Sequence, residues 1–308
     1  MQAPKTVVAL VAAFVAGVMV GVQSRINGDL AVRTHSALEA AMASFLVGLV
    51  LTGAILAVRP AGARRLLRAR VQPWWWFGGL GGALAVAATA HGVPEIGVAL
   101  VTVCIVAGNS AGAAFSDQLG LGPGGRHPLS RWRLAGIAVV IAAVTIGAVG
   151  DRSASLKPLL FLVIFLGGAT SAVQQAANGQ LRLAAHDVVV ASFVSFLGGA
   201  IGLVVVTAAA GELSLHEWPA APWLYLGGPL GACYVFAGAT TVRVLGVLRF
   251  VLAALSGQLL CAVVIDAVWP SPGTHLRATT VIGAIVTVVG VWLSGLGRSG
   301  DVAPEVVR

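Results

Sequence analysis

Charge is what this chain has least of. Only 10% of its 308 residues are Asp, Glu, Lys or Arg, against roughly 25% in soluble domains, while 58% are hydrophobic and mean hydropathy is +0.94. So little polar surface cannot coat a water-facing globule, which excludes a soluble domain. Lysine is nearly missing (Lys5 and Lys157), so arginine carries the net charge of +8. Cysteine is scarce as well. Cys104, Cys233 and Cys261 sit singly inside apolar runs with no CxxC or metal-ligand spacing, so they read as small packing residues. HExxH, Walker and carboxylate-cluster patterns are all missing, so neither catalysis, a metal nor another cofactor is expected.

What the chain has instead is apolar runs of about 18 to 25 residues, the length of helix that crosses roughly 30 Å of hydrocarbon. Ten such spans are predicted, over 6–25, 38–58, 74–91, 97–117, 133–150, 159–178, 188–210, 223–242, 246–266 and 279–296. The first apolar stretch is too long for a signal peptide and recurs internally, so it reads as a retained span. All eight tryptophans fall at or near span ends, where amphipathic rings favour the headgroup layer. With the N-terminus in the cytoplasm, 14 of the 19 Lys and Arg residues lie in cytoplasmic segments, which predicts both termini inside. The basic balance then reflects topology and anionic lipid, and a nucleic-acid partner is not expected.

The chain also repeats itself. Gln23, Asn27, Gly28, Leu30, His35, Ser44, Phe45, Leu46 and Gly48 return without a gap as Gln174, Asn178, Gly179, Leu181, His186, Ser195, Phe196, Leu197 and Gly199. A second block pairs Trp74, Gly78, Gly79, Gly82, Gly97, Gly108 and Asp117 with Trp223, Gly227, Gly228, Gly231, Gly246, Gly257 and Asp266. Five spans per half is an odd number, so the second half enters the membrane from the opposite face. The expected fold is all-α integral membrane: two five-helix inverted repeats, 1–150 and 151–298, followed by a cytoplasmic tail, 299–308. Such repeats are related by a pseudo-two-fold axis in the membrane plane, the architecture of alternating access.

The motif Q-x-x-x-N-G-x-L ending the first span of each half, the later S-F-x-x-G and the G-N/Q…D pattern of each fourth span resemble the YdcZ-type family of the drug/metabolite transporter superfamily. The resemblance covers nearly the whole chain, which looks like a fused pair of single five-span members. It implies a ten-helix, DMT-like basket around a central cavity and an export role in a bacterial inner membrane. Two departures stand out: Asn109 occupies the position of Gln258, and Pro94 that of Arg243.

Gln23 and Asn27 share one helical face, as do Gln174 and Asn178, and amides do not face lipid. The predicted topology places the first pair near the outer surface and the second near the inner one, as gates or walls of a pathway, or as interhelical amide contacts. Asp117 and Asp266 end the fourth spans and are candidates as intramembrane ionisable groups, with hydrated span ends as the alternative. Asn109, Ser256 and Gln258 fall nearer mid-span, where an inverted repeat places its substrate. His91, Glu95 and Glu39 approach one boundary as a proton relay or as solvated turn residues, and Arg25, Asp29 and Arg33 have the spacing of an ion-pair ladder. GxxxG pairs such as Gly78 and Gly82 predict close helix contacts.

The expected function is secondary transport of a small solute. The alternatives are a non-transporting scaffold or receptor, which the tiny loops serve badly, and a membrane-embedded enzyme. No carboxylate falls mid-span, so a neutral or zwitterionic solute is favoured over a proton-exchanged cation. Lipid and the solute are the expected partners, and a homodimer is left open.

Overall fold

The computed structural model describes residues 3–59, 62, 64, 65, 72–76, 78–123, 125, 126, 129–148, 157–213, 218–271 and 274–296, and every regular element among them is helical. The boundary expected at 150/151 and the tail 299–308 lie outside the described residues. The long helices are α1 (Ala3–Thr34), α2 (Ala37–Ala57), α3 (Gly78–Ile96), α4 (Val98–Leu119), α5 (Arg131–Ala148), α6 (Pro158–Ala185), α7 (Val188–Ala209), α8 (Gly227–Val268) and α9 (Ala278–Leu296). Short turns over Pro73–Trp76 and Pro222–Tyr225 precede α3 and α8. A helix satisfies its backbone donors and acceptors internally, as hydrocarbon requires. Six of them are long and apolar enough to cross a membrane: Lys5–Thr34 within α1, and the whole of α2, α4, α5, α6 and α7. Exposed apolar side chains such as Val50, Leu159 and Ile201 suit contact with lipid.

Equivalent turns close equivalent helices. α1 ends at His35 and α6 at His186, with φ of 55° and 51°. The next residue caps the following helix: Ser36 accepts from the Glu39 N–H at 3.0 Å, and Asp187 from the Val189 N–H at 2.9 Å. Between α3 and α4 the chain breaks at Gly97, whose φ of 82° suits glycine.

Three expected boundaries move. α1 continues nine residues past Arg25, and α6 seven past Asn178, so that Arg25 and Asn27 lie buried within a helix and not at its end. Hydropathy treats a buried, paired Arg25 as a span end. The spans expected at 223–242 and 246–266 join in one helical run, α8. A straight helix of 42 residues would be about 63 Å long. Yet the Tyr234 and Phe250 rings stand 5.9 Å apart, and Gly231 and Cys261 lie against Gln23 and Gly21 of the same stretch of α1. α8 therefore doubles back between Tyr234 and Phe250 and runs along α1 twice.

Contacts between helices come in matched pairs. Gly79 of α3 lies on the Ser195 and Gly199 backbone of α7, and Gly228 of α8 on the Ser44 and Gly48 backbone of α2. Gly82 faces the Gln174 amide and Gly231 the Gln23 amide. Gly108 rests on the Phe165 backbone and Gly257 on the Phe14 backbone, while Gly168 meets the Ile105 carbonyl and Gly17 the Ala254 carbonyl. Phe45 and Phe196 meet each other edge to face, 5.4 Å between centroids at 64°. The Phe45 ring covers Gly199 and the Phe196 ring covers Gly48, so α2 and α7 cross antiparallel there. Elsewhere an apolar core joins Val98, Leu100 and Val101 of α4 to Ile164 of α6 and Ala262 and Ile265 of α8, and α9 packs along α5 through Gly283 and Gly290.

Candidate functional site

α1 and α6 each carry a Gln and an Asn four residues apart, and both pairs border one cavity of about 220 Å³. Asn109 of α4 and Gln258 of α8 border it too, with hydroxyls from Ser24, Thr89, Thr102, Ser171, Ser192 and Ser195 and the rings of Phe45, Phe196 and Tyr234. Gly82 and Gly231 admit the glutamine side chains, since a Cβ at Gly82 would overlap the Gln174 amide and one at Gly231 would stand 3.2 Å from that of Gln23. The Gln174 Nε2 donates to Ser195 Oγ at 2.7 Å. Asn27 is only 2% exposed, and the Oδ1 atoms of both Asn27 and Asn178 are buried without a hydrogen-bond donor among the described residues. A buried unpaired amide group costs about 1–3 kcal/mol, so two at equivalent positions are a considerable concession to something other than packing. No Asp, Glu, Lys, Arg or His occurs among the described residues bordering the cavity.

The two amide pairs thus meet in a single cavity, with α1 continuing past Arg25 and α6 past Asn178. Ser256 lies elsewhere, in an otherwise apolar depression of about 280 Å³ formed with Val288 and Trp292, its hydroxyl donating to the Leu252 carbonyl of its own helix at 2.7 Å. Asp117 and Asp266 also stand off the cavity. The Asp117 carboxylate pairs with Arg133. Asp266 accepts from the Val98 and Ala99 N–H groups at 2.9 and 2.7 Å, satisfying orphan donors where α4 begins. Helix ends need such partners in a dry setting, which explains carboxylates there without a substrate.

Arg25 is 3% exposed. Its guanidinium pairs with Asp29 at 2.9 Å, donates to Ser271 Oγ at 2.5 Å and covers the Trp269 ring at 4.9 Å. Arg33 extends the cluster over Trp223, which packs on Trp269. This is more than a ladder on one helix, since it ties α1 to the segment after α8. Of the three residues expected near one boundary, Glu95 pairs with Lys157, Glu39 is buried in the first turn of α2, and His91 is exposed. No metal-binding cluster of His, Cys, Asp and Glu occurs among the described residues. Sequence reading missed the hydroxyls and aromatic rings, although Ser195, Phe45 and Phe196 belong to the repeated block and bore that signal.

Long apolar helices around a cavity bordered by amides and hydroxyls fit the class of multi-pass membrane proteins. A family model described as "Putative inner membrane exporter, YdcZ" matches residues 8–146 and 159–293, and the chain belongs to that family. The two matched segments begin at positions related by the same offset as Gln23 and Gln174. Fold and family together make this a multi-pass protein of the inner membrane with a transport role. Among curated proteins none matches. A solved structure described only as "Crystal structure of protein" aligns over 94% of this chain and 97% of its own with a TM-score of 0.56 and 20% identity, a likeness of fold.

Proposed function

We propose that the protein is a secondary transporter that exports a small solute by alternating access of two inverted five-helix repeats, 1–150 and 151–298. Both termini, including the tail 299–308, then lie in the cytoplasm. The observation that carries the reading is the reciprocity of contacts. When residue i of one half meets residue j of the other, the equivalents of i and j meet as well, as a two-fold relation demands. The antiparallel crossing of α2 and α7 supports an axis perpendicular to those helices, hence in the membrane plane. The doubling back of α8 supports five crossings in the second half. Gln23, Asn27, Asn109, Gln174, Asn178 and Gln258 are the proposed solute-facing groups, while Asp117 and Asp266 join helices and Ser256 bonds within its own.

Glycine contacts between backbones suit the mechanism, because smooth surfaces can slide without prying side chains apart. Proteoliposomes loaded with unlabelled solute should take up the same solute in labelled form by counterflow, and Gly231→Leu, which fills the cavity beside Gln23, should slow it at least tenfold. Uptake no faster than in protein-free vesicles, for every class of small solute, would overturn the reading in favour of a receptor or scaffold.

A further inference from the structure

Resting on that transport reading, we infer that the cavity selects an uncharged solute with hydrogen-bonding groups toward both of its ends, gripped between Asn27 and Asn178, and that its passage moves neither net charge nor a proton.

Three observations converge on this. The Asn27 and Asn178 Oδ1 atoms are buried without a hydrogen-bond donor among the described residues, and the two carboxamides border the cavity from equivalent places in the two repeats. A hydroxyl or amide at either end of a solute satisfies such a group, whichever way round the amide lies. Second, the described border holds no ion of either sign. A solute cation or anion there would be stripped of water with no counter-charge to replace it. Three carboxylates on helices that border it have other duties: Asp266 caps α4, Asp117 meets Arg133 and Asp29 meets Arg25. None is at hand to trade a proton for a cation. Third, Phe45, Phe196, Val101 and Ile105 supply an apolar wall, so the solute has an apolar face between its polar ends. The cavity's 220 Å³ lies below the usual 300–1,000 Å³ of drug-sized pockets, which limits the solute to a small metabolite.

The test uses the full chain in proteoliposomes with five probes: xylitol and uridine as uncharged solutes, glycine as a zwitterion, tetraethylammonium as a cation and benzoate as an anion. Counterflow is measured at clamped potentials of zero and about −100 mV, and with and without a pH gradient of about one unit. The inference predicts movement of an uncharged probe, at a rate that changes less than about twofold across these conditions. Asn27→Ala and Asn178→Ala should each raise its half-saturating concentration on the order of tenfold, and Asn→Gln should restore part of the loss. Movement of charged probes alone, or a rate that follows potential or pH gradient, overturns the inference and leaves transport standing. Thermal shifts with the same probes in detergent separate the other failure. Stabilisation by an uncharged probe that never moves in vesicles contradicts transport itself, and stabilisation by charged probes alone contradicts the inference.

Discussion

A buried arginine illustrates how single residues are managed in this fold. Arg25 would be expensive inside a membrane if alone, yet Asp29 neutralises it, Ser271 accepts one of its protons and Trp269 offers the face of its ring. Removing one partner of such a set strands the other. Arg25→Ala should therefore destabilise the protein by about 3 kcal/mol, read as a lowered unfolding midpoint in detergent. Arg25→Lys should recover only part of this, because a lysine cannot stack on the indole while reaching two oxygens. In the double variant Arg25→Ala with Asp29→Ala, the loss should be smaller than the two single losses added together. Additive losses would show that the pair is not coupled. The equivalent of Arg25 in the other half is Ala176, so this fastening exists at one end only.

Pairs of helices meet through glycine, and the matched contacts make a matched prediction. A Cβ at Gly108 would collide with the Phe165 carbonyl, and one at Gly257 with the Phe14 carbonyl. Backbone cannot step aside as a flexible side chain can. Gly108→Ala and Gly257→Ala should each cost about 1–3 kcal/mol by overpacking, and by similar amounts, since they disturb equivalent junctions. Gly122→Ala, with nothing within 4 Å of the new methyl, should leave the unfolding midpoint unchanged. A large effect at Gly108 with none at Gly257 would contradict the equivalence of the two junctions. The sequence reading of elements went astray where local polarity and tertiary burial disagree. Arg25 and Asn178 look like helix ends to a hydropathy window, but the chain stays helical through both: Arg25 is held by Asp29, Ser271 and Trp269, and Asn178 borders the cavity. Inside α8 the helix runs on although Gly246, the equivalent of Gly97, falls between the two expected spans.

At the scale of the whole molecule, the helical class, the membrane setting and the repeat were all legible, because they rest on composition and on spacing, which survive without knowledge of contacts. The site was legible in part. Gln23, Asn27, Gln174 and Asn178 declared themselves by recurring as amides in apolar runs, and Asn109 and Gln258 by mid-span depth. Asp117, Asp266 and Ser256 stand off the cavity, and each has a partner of its own: Arg133, the Val98 and Ala99 N–H groups, and the Leu252 carbonyl. The partners of Asp266 lie far away in sequence, so no local pattern could reveal them. The account stands on the two halves entering the bilayer in opposite senses. His35 and His186 are equivalent, exposed, and sit at matching turns. With Cys104, Cys233 and Cys261 replaced by alanine, His35→Cys and His186→Cys can be labelled in intact cells and in inverted vesicles with a membrane-impermeant maleimide. The account predicts that His35→Cys reacts only in intact cells and His186→Cys only in inverted vesicles; reaction of both from the same face would contradict it.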